Sequence, residues 1–389
     1  MYKEYCTGCG LCASIKNKNM SLDEKGFLRI DTENSEDVPF LKSVCPAGGA
    51  QCPQMKEGEI WGREEGVFLA YSSEDYIRHM ASSGGVLTSL AVFLLENHLV
   101  DGILQTKQDD EEPIGTISVC STTREQVLQC MGSRYSSSSP LLDIQKYIES
   151  GNKYAFIGKP CDVTALRNYM KIEPNAEKAF PYLLSFFCAG APSRNANLEL
   201  LKKLGCAEED CVSLRYRGDG WPGYATAIDR KGNKHQITYR EAWRDTLGRD
   251  NRLICRFCID GIGEMADVSC GDAWYLDKDN KPVFEEGLGR NVVLCRTDRG
   301  REIYRRAVEQ GYIVGEKYSN YAEEMRYYQA YQYERKASLA DTLLAMRMTF
   351  HKTPAYSTSL LRSYAKNLNV KRRFSRFKGT VKRVLIGKI

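Results

Sequence analysis

The run Cys6-Thr7-Gly8-Cys9-Gly10-Leu11-Cys12 places three thiols close together near the start of the chain. Two residues between successive cysteines, repeated once, is the spacing with which a short loop covers three corners of a cubane iron–sulfur cluster. Gly8 and Gly10 let the backbone approach such a group and turn its N–H groups toward sulfur. The fourth corner needs a remote thiolate, which a Cys-Pro pair usually supplies. Cys45-Pro46 fits that role, with Cys52-Pro53 as the rival. A zinc knuckle is the alternative, although zinc sites usually draw on two Cys-x2-Cys units. Cys6, Cys9, Cys12 and Cys45 are therefore expected to hold a 4Fe–4S cluster. Residues 1–60, poor in long periodic elements, read as a ferredoxin-type domain built around it.

The chain has 389 residues, enough for two or three domains, each with its own core. Its 15 cysteines fall largely in short-spaced units rather than in the spread of a disulfide framework. No signal peptide is read ahead of Cys6. The expected compartment is reducing, the cytoplasm, where cysteines serve as ligands or core residues. The longest apolar stretch, Val86–Leu95, is too short to span a bilayer.

Charge is unevenly placed. After Asp341 there are twelve Lys and Arg and no Asp or Glu, so the formal net charge of +5 belongs to the tail. Val370, Phe374, Phe377, Val381 and Val384 recur at helical steps among those basic residues. Such a helix suits either contact with an anionic membrane surface, on the inner face, or docking on the acidic body or a partner subunit. Nucleic acid is not expected, because no second basic, aromatic-interleaved region supports it.

Along the middle, Val67–Tyr71, Val100–Leu104, Lys153–Gly158 and Tyr182–Phe187 read as strands. Val86–His98 and Asp162–Met170 read as helices. The alternation argues an α/β fold. Four units emerge: 1–60, then 61–145 and 146–320 as α/β domains, then a helical basic tail at 321–389. Ser83-Gly84-Gly85, between a strand and a helix start, exposes backbone N–H groups suited to a phosphate or ring cofactor, or is a plain tight turn. Cys161 stands at the end of a strand just before a helix, and Cys188 caps another strand. Cys255 and Cys258 form a Cys-x2-Cys unit, followed by Cys270. These five thiols suffice for a second four-ligand site. A structural zinc, a redox-active pair at 255 and 258, or unligated core cysteines are the alternatives. Arg215-Tyr216-Arg217-Gly218-Asp219-Gly220-Trp221 is a candidate substrate rim or a solvated loop. Cys120, Cys130, Cys206, Cys211 and Cys295 read as core residues, and the four histidines carry no metal role.

In order along the chain, these segments resemble the coenzyme F420 hydrogenase/dehydrogenase beta subunit family, which includes 7-hydroxymethyl chlorophyll a reductase. The opening Cys-x2-Cys-Gly-x-Cys resembles its N-terminal cluster site, and Ser83-Gly84-Gly85 with Thr88 resembles its flavin loop. Gly158-Lys159-Pro160-Cys161 is similar to its Gly-Thr-Pro-Cys segment. Phe187-Cys188-Ala189-Gly190-Ala191-Pro192-Ser193 is similar to its Cys-His-Gly-x-Pro-Ser segment, with Ala189 replacing His. Cys255-x2-Cys258 with Ala266-Asp267-Val268 and Gly271-Asp272-Ala273-Trp274 resembles its C-terminal signature. The resemblance implies a second 4Fe–4S cluster on Cys161, Cys188, Cys255 and Cys258, with Cys270 in reserve. It also implies FAD at Ser83, Gly84, Gly85 and Thr88. The implied protein is an α/β flavin-binding body behind a ferredoxin-like iron–sulfur domain. It would be an iron–sulfur flavoprotein oxidoreductase passing electrons from ferredoxin or another donor to a small-molecule or lipid-linked substrate. The alternative is an electron-transfer subunit of a larger hydrogenase or dehydrogenase complex that couples to coenzyme F420. Self-association into a homo-oligomer is compatible with both.

Overall fold

The computed structural model describes residues 2–31, 35–48 and 55–387. Thirteen strands form three sheets. A hairpin pairs β1 (Met20–Leu22) with β2 (Leu28–Ile30), antiparallel. The main sheet uses β3 (Gly66–Ser72), β4 (Gly102–Gln108), β5 (Thr116–Ser121), β6 (Tyr154–Gly158) and β7 (Tyr182–Phe186). It is completed by β11 (Val268–Asp272), β12 (Asn291–Cys295) and β13 (Ile313–Lys317). A three-stranded antiparallel sheet holds β8 (Cys211–Arg215), β9 (Tyr224–Asp229) and β10 (Lys234–Thr238).

The main sheet runs β13-β3-β12-β11-β7-β6-β4-β5, so the ranges 61–145 and 146–320 contribute strands to one sheet. Its centre, β11-β7-β6-β4, is parallel, and both flanks are antiparallel. Helices Val86–Glu96 and Asp298–Glu309 cover one face, and Pro160–Tyr169 covers the other. Strands covered on both sides lose their polar alternation. Every residue of β12 is accordingly buried. The helix expected to reach His98 stops at Glu96, because His98 adopts a positive φ of 52°.

The N-terminal segment leans on this body. Leu11 and Val44 enter the core beside Phe156, Val163 and Leu166. Leu141 N–H donates to the Cys9 carbonyl at 2.8 Å.

Helices fill the C-terminal arm: Tyr321–Tyr328, Ala330–Ala337, Leu339–Met348, Thr358–Ala365 and Val370–Leu385. The last of them docks on the protein itself. Arg373 pairs with Asp341 at 2.8 Å, and Arg372 and Arg376 both pair with Glu334. Its apolar stripe is only half used, with Phe377, Val381 and Val384 partly covered while Val370 and Phe374 stay exposed. No helix among the described residues is long and apolar enough to cross a membrane.

Lys336, on Ala330–Ala337, anchors the arm through an almost fully buried ion pair with Glu264, and it also donates to the Ile60 carbonyl at 2.9 Å. Removing one partner of a buried pair strands the other charge. Lys336→Met is expected to cost about 3–5 kcal/mol, read as a lowered urea midpoint. The double variant Lys336→Met, Glu264→Leu is expected to recover most of that loss.

Candidate functional site

Because β4, β6, β7 and β11 are parallel, the segments that come after them leave the sheet at one edge, the usual place for a site in an α/β fold. Cys161 lies there in the first turn of Pro160–Tyr169, directly after β6. Cys188 comes after β7, held by its N–H donating to the Gly261 carbonyl at 2.8 Å. Gly261 belongs to the loop that carries Cys255 and Cys258, so that bond draws the two segments together. The four thiols are electrostatic neighbours. Burial first pushes Cys188 up to about 11, and Cys255 adds to it. Burial likewise pushes Cys258 up to about 12, with Cys255 and Cys188 contributing. Cys161 is raised by burial, by Asp162, and by Cys188 and Cys258. Cys270 is elsewhere: it lies buried inside β11, with Cys295 as its thiol neighbour among the described residues. The reserve ligand is thus a core residue of the sheet.

Cys6, Cys9, Cys12 and Cys45 line one small cavity of about 30 Å³. Gly8 N–H donates to the Cys6 sulfur at 3.3 Å, the backbone-to-sulfur contact expected of such a loop. Burial raises Cys12 to about 11 and Cys45 to about 12, with Cys6 the next cause in both. Cys52 lies outside the described residues.

The two sets are adjacent. A cavity of about 240 Å³ between them is lined by Thr7 and Pro46 from the first and by Cys161 and Cys258 from the second. Tyr356, Ser357 and Leu360 of the C-terminal arm close one side of it. Ser136–Ser138 of the serine-rich segment are buried in the same region. Ser139 Oγ donates to the Gly8 carbonyl at 2.9 Å, and Ser138 Oγ accepts from Lys159 Nζ at 3.2 Å.

All the donors are sulfur, which suits iron–sulfur clusters or zinc. Among the described residues, no group of three or more His, Cys, Asp or Glu side chains is placed to hold a single metal ion. A cubane cluster is a body with four corners rather than a point, so its ligands stand further apart than those of one ion. Two sets of four thiols, each beside a cavity, fit that requirement.

The glycine loop leaves the same edge, because β3 runs in the direction of β11. A side chain on Gly84 would meet Asn291 and the Ala70 carbonyl, and Gly85 has φ +79° with Ile77 and Ser72 against it. Both are required by the protein's own packing, whether or not a ligand lies nearby. Ser83 Oγ donates to the Arg290 carbonyl at 3.0 Å, and Asn291 Oδ1 accepts from Val86 N–H at 3.3 Å. Thr88 is half-buried on the first turn of Val86–Glu96. A packed route leads from this loop to the second cysteine set. Asn291 donates to the Gly271 carbonyl at 3.1 Å, and a side chain on Gly271 would strike Phe187, the neighbour of Cys188.

The segment expected to form a substrate rim lies mostly inside the protein. Arg217 is 4% exposed and makes a two-pronged ion pair with Asp272 at 2.9 and 3.0 Å. Trp221 donates to the same carboxylate at 3.1 Å and stacks on Trp274 with centroids 4.4 Å apart. The segment still borders the glycine loop, since Arg215 donates to the Met80 carbonyl and Gly220 N–H to the His79 carbonyl.

Sequence reasoning missed Arg252 and Arg335. Arg252 is fully buried and donates to the carbonyls of Cys6 at 3.2 Å and Leu28 at 2.9 Å. Arg335, on the arm, donates to the Cys188 carbonyl at 3.0 Å. An arginine three residues before a Cys-x2-Cys unit was the available signal for the first; the second had none.

Comparison with known proteins agrees with this arrangement. Residues 67–146 match the family model for the N-terminal part of the coenzyme F420 hydrogenase/dehydrogenase beta subunit, and residues 151–320 match the model for its C-terminal part. The F420-dependent formate dehydrogenase subunit beta of Methanocaldococcus jannaschii is 25% identical over 66% of this chain and 63% of its own length. The 7-hydroxymethyl chlorophyll a reductase of Oryza sativa is 24% identical over 77% of this chain and 60% of its own. The chain thus spans about three-fifths of the length of these two relatives. A chain of the F420-reducing nickel–iron hydrogenase complex from Methanosarcina barkeri shares the fold. The TM-score is 0.60 at 20% identity, over 78% of this chain and 99% of that one. With both parts of the body matched in order, the chain belongs to the coenzyme F420 hydrogenase/dehydrogenase beta subunit family.

Proposed function

We propose that the chain is an electron-transfer subunit working between a partner hydrogenase or dehydrogenase and coenzyme F420. In this reading Cys6, Cys9, Cys12 and Cys45 hold one 4Fe–4S cluster, and Cys161, Cys188, Cys255 and Cys258 hold a second. Ser83, Gly84, Gly85 and Thr88 border a flavin, FAD. The observation that carries the reading is the gathering of eight thiols into two neighbouring sets at the edge where the glycine loop also leaves the sheet. When bound, such clusters supply single-electron steps, and a flavin links them to two-electron hydride chemistry. The residues here hold and orient those groups. Helix Pro160–Tyr169 presents Cys161 in its first turn, where the helix dipole favours a thiolate. The Gly8 amide donates to sulfur.

Anaerobic purification with iron and sulfide analysis tests the ligand sets. Wild type is expected to carry about eight irons, and Cys9→Ser and Cys161→Ser are each expected to lose about four, on cubane stoichiometry. Cys270→Ser is expected to keep them all. Stoichiometric zinc in place of iron in the wild type would refute the assignment.

For the flavin, Gly85→Val is a poor probe, because its backbone and neighbours already demand glycine. Thr88→Val keeps shape and removes only the hydroxyl. A several-fold loss of bound FAD at unchanged thermal stability is the expected result, and unchanged flavin content would remove Thr88 from the site.

Coupling to the deazaflavin is tested by adding reduced coenzyme F420 to oxidised protein under anaerobic conditions. Bleaching of the iron–sulfur absorbance is expected. If only reduced ferredoxin bleaches it, the chain is instead a free-standing reductase acting on an organic, small-molecule or lipid-linked substrate.

A further inference from the structure

Buried cations in this protein usually have a carboxylate beside them. Lys159 pairs with Asp162 at 2.7 Å, Arg167 with Asp267 at 3.1 Å, and Arg217 with Asp272 at 2.9 Å. Arg296, 2% exposed and without an ion pair, donates from every guanidinium nitrogen to a hydroxyl or carbonyl oxygen. Arg252, 1% exposed, has neither arrangement. Among the described residues no carboxylate lies within ion-pair distance of it, and its Nε has no partner. Arg335, half-buried, also has no carboxylate partner among the described residues; its Nη2 donates to the Cys188 carbonyl at 3.0 Å and to the Gln332 side chain.

A guanidinium stays charged at any pH a protein meets, so an uncompensated one in the interior is costly. Both of these side chains face sulfur. Arg252 stands within electrostatic reach of Cys6, Cys255 and Cys161, and Arg335 of Cys258, Cys188 and Cys255. Two glycines make room for them: a side chain on Gly8 would collide with the Arg252 guanidinium, and one on Gly261 with that of Arg335. Lys159 and Asp260, two other charged residues nearby, are already engaged. Lys159 is paired with Asp162, and Asp260 accepts from the N–H groups of Ile262, Gly263 and Glu264.

We infer that Arg252 and Arg335 are fixed positive charges that balance an anionic centre held by Cys161, Cys188, Cys255 and Cys258 and raise its reduction potential. Arg252, which also faces the N-terminal loop, does the same for the centre there. The inference rests on the cluster reading above. Its physical basis is that net charge around a cluster is one of the terms that set its potential: a nearby cation makes the added electron cheaper. Arg335 belongs to the arm beyond residue 320, outside both family-matched segments. The potential of the second centre is therefore adjusted by a part of this chain that lies outside the matched body.

The test is a redox titration monitored by electron paramagnetic resonance on full-length wild type, Arg335→Gln, Arg335→Lys and Arg252→Gln, with iron counted in each. A Cys9→Ser background assigns each signal to its centre. Arg335→Gln is expected to keep its iron and lower the midpoint of the second centre alone, and Arg335→Lys to restore it. Arg252→Gln is expected to lower both midpoints. If Arg252→Gln loses iron or fails to fold, the two Arg335 variants still decide. Unmoved midpoints at full iron content, or a lysine variant that behaves like the glutamine one, overturn the inference alone. A wild type without iron overturns the cluster reading and this inference together, and the iron count tells the two failures apart.

Discussion

Strands that run side by side in one direction must be joined by crossovers, and every crossover starts again from the same edge of the sheet. That constraint places almost everything discussed above. β6 and β7 end one residue apart in register, so Cys161 and Cys188, just beyond their ends, emerge at neighbouring points. β11 delivers Asp272 to the same edge, and β3, though separated by β12, runs the same way and delivers the glycine loop. Helices covering both faces leave that edge as the natural crevice.

On this edge the chemistry is governed by charge. Thiols in the interior hold their protons more tightly than usual, as Cys45, Cys188 and Cys258 do. Any state in which they ionise needs positive charge close by. The protein keeps its carboxylates occupied there: Asp162 by Lys159, Asp260 by backbone N–H groups, Asp272 by Arg217 and Trp221. Among the described residues, Arg252 and Arg335 have no carboxylate partner and stand near the thiols. The same pattern explains why Gly8 and Gly261 bear no side chain.

Local features were readable from the residues. Strands β3, β4, β6 and β7, the helix after Gly85, and the approach of Cys161 to a helix start follow from short-range pattern, and the structure has all of them. The joining of 61–145 and 146–320 in one sheet was not readable, since β12 and β13 return from far along the chain to flank β3. Nor were the different placements of Cys161 and Cys270, the first just past the end of a strand and the second inside one. Arg217 shows how composition misleads. An arginine among glycines looks like a solvated rim, yet a carboxylate 55 residues later in sequence draws it inside. The tail stripe was legible as a helix, but its partners, Glu334 and Asp341, were not.

The wall that Tyr356, Ser357 and Leu360 build over the cavity beside Cys161 and Cys258 has a consequence for the order of events during synthesis. The N-terminal cysteines and Cys258 leave the ribosome before this wall, which lies later in the sequence. Until it arrives, the cavity beside Cys161 and Cys258 lacks that wall. Once the arm has docked, the same residues become a shutter. Access to that cavity thus narrows once the arm has been made and docks.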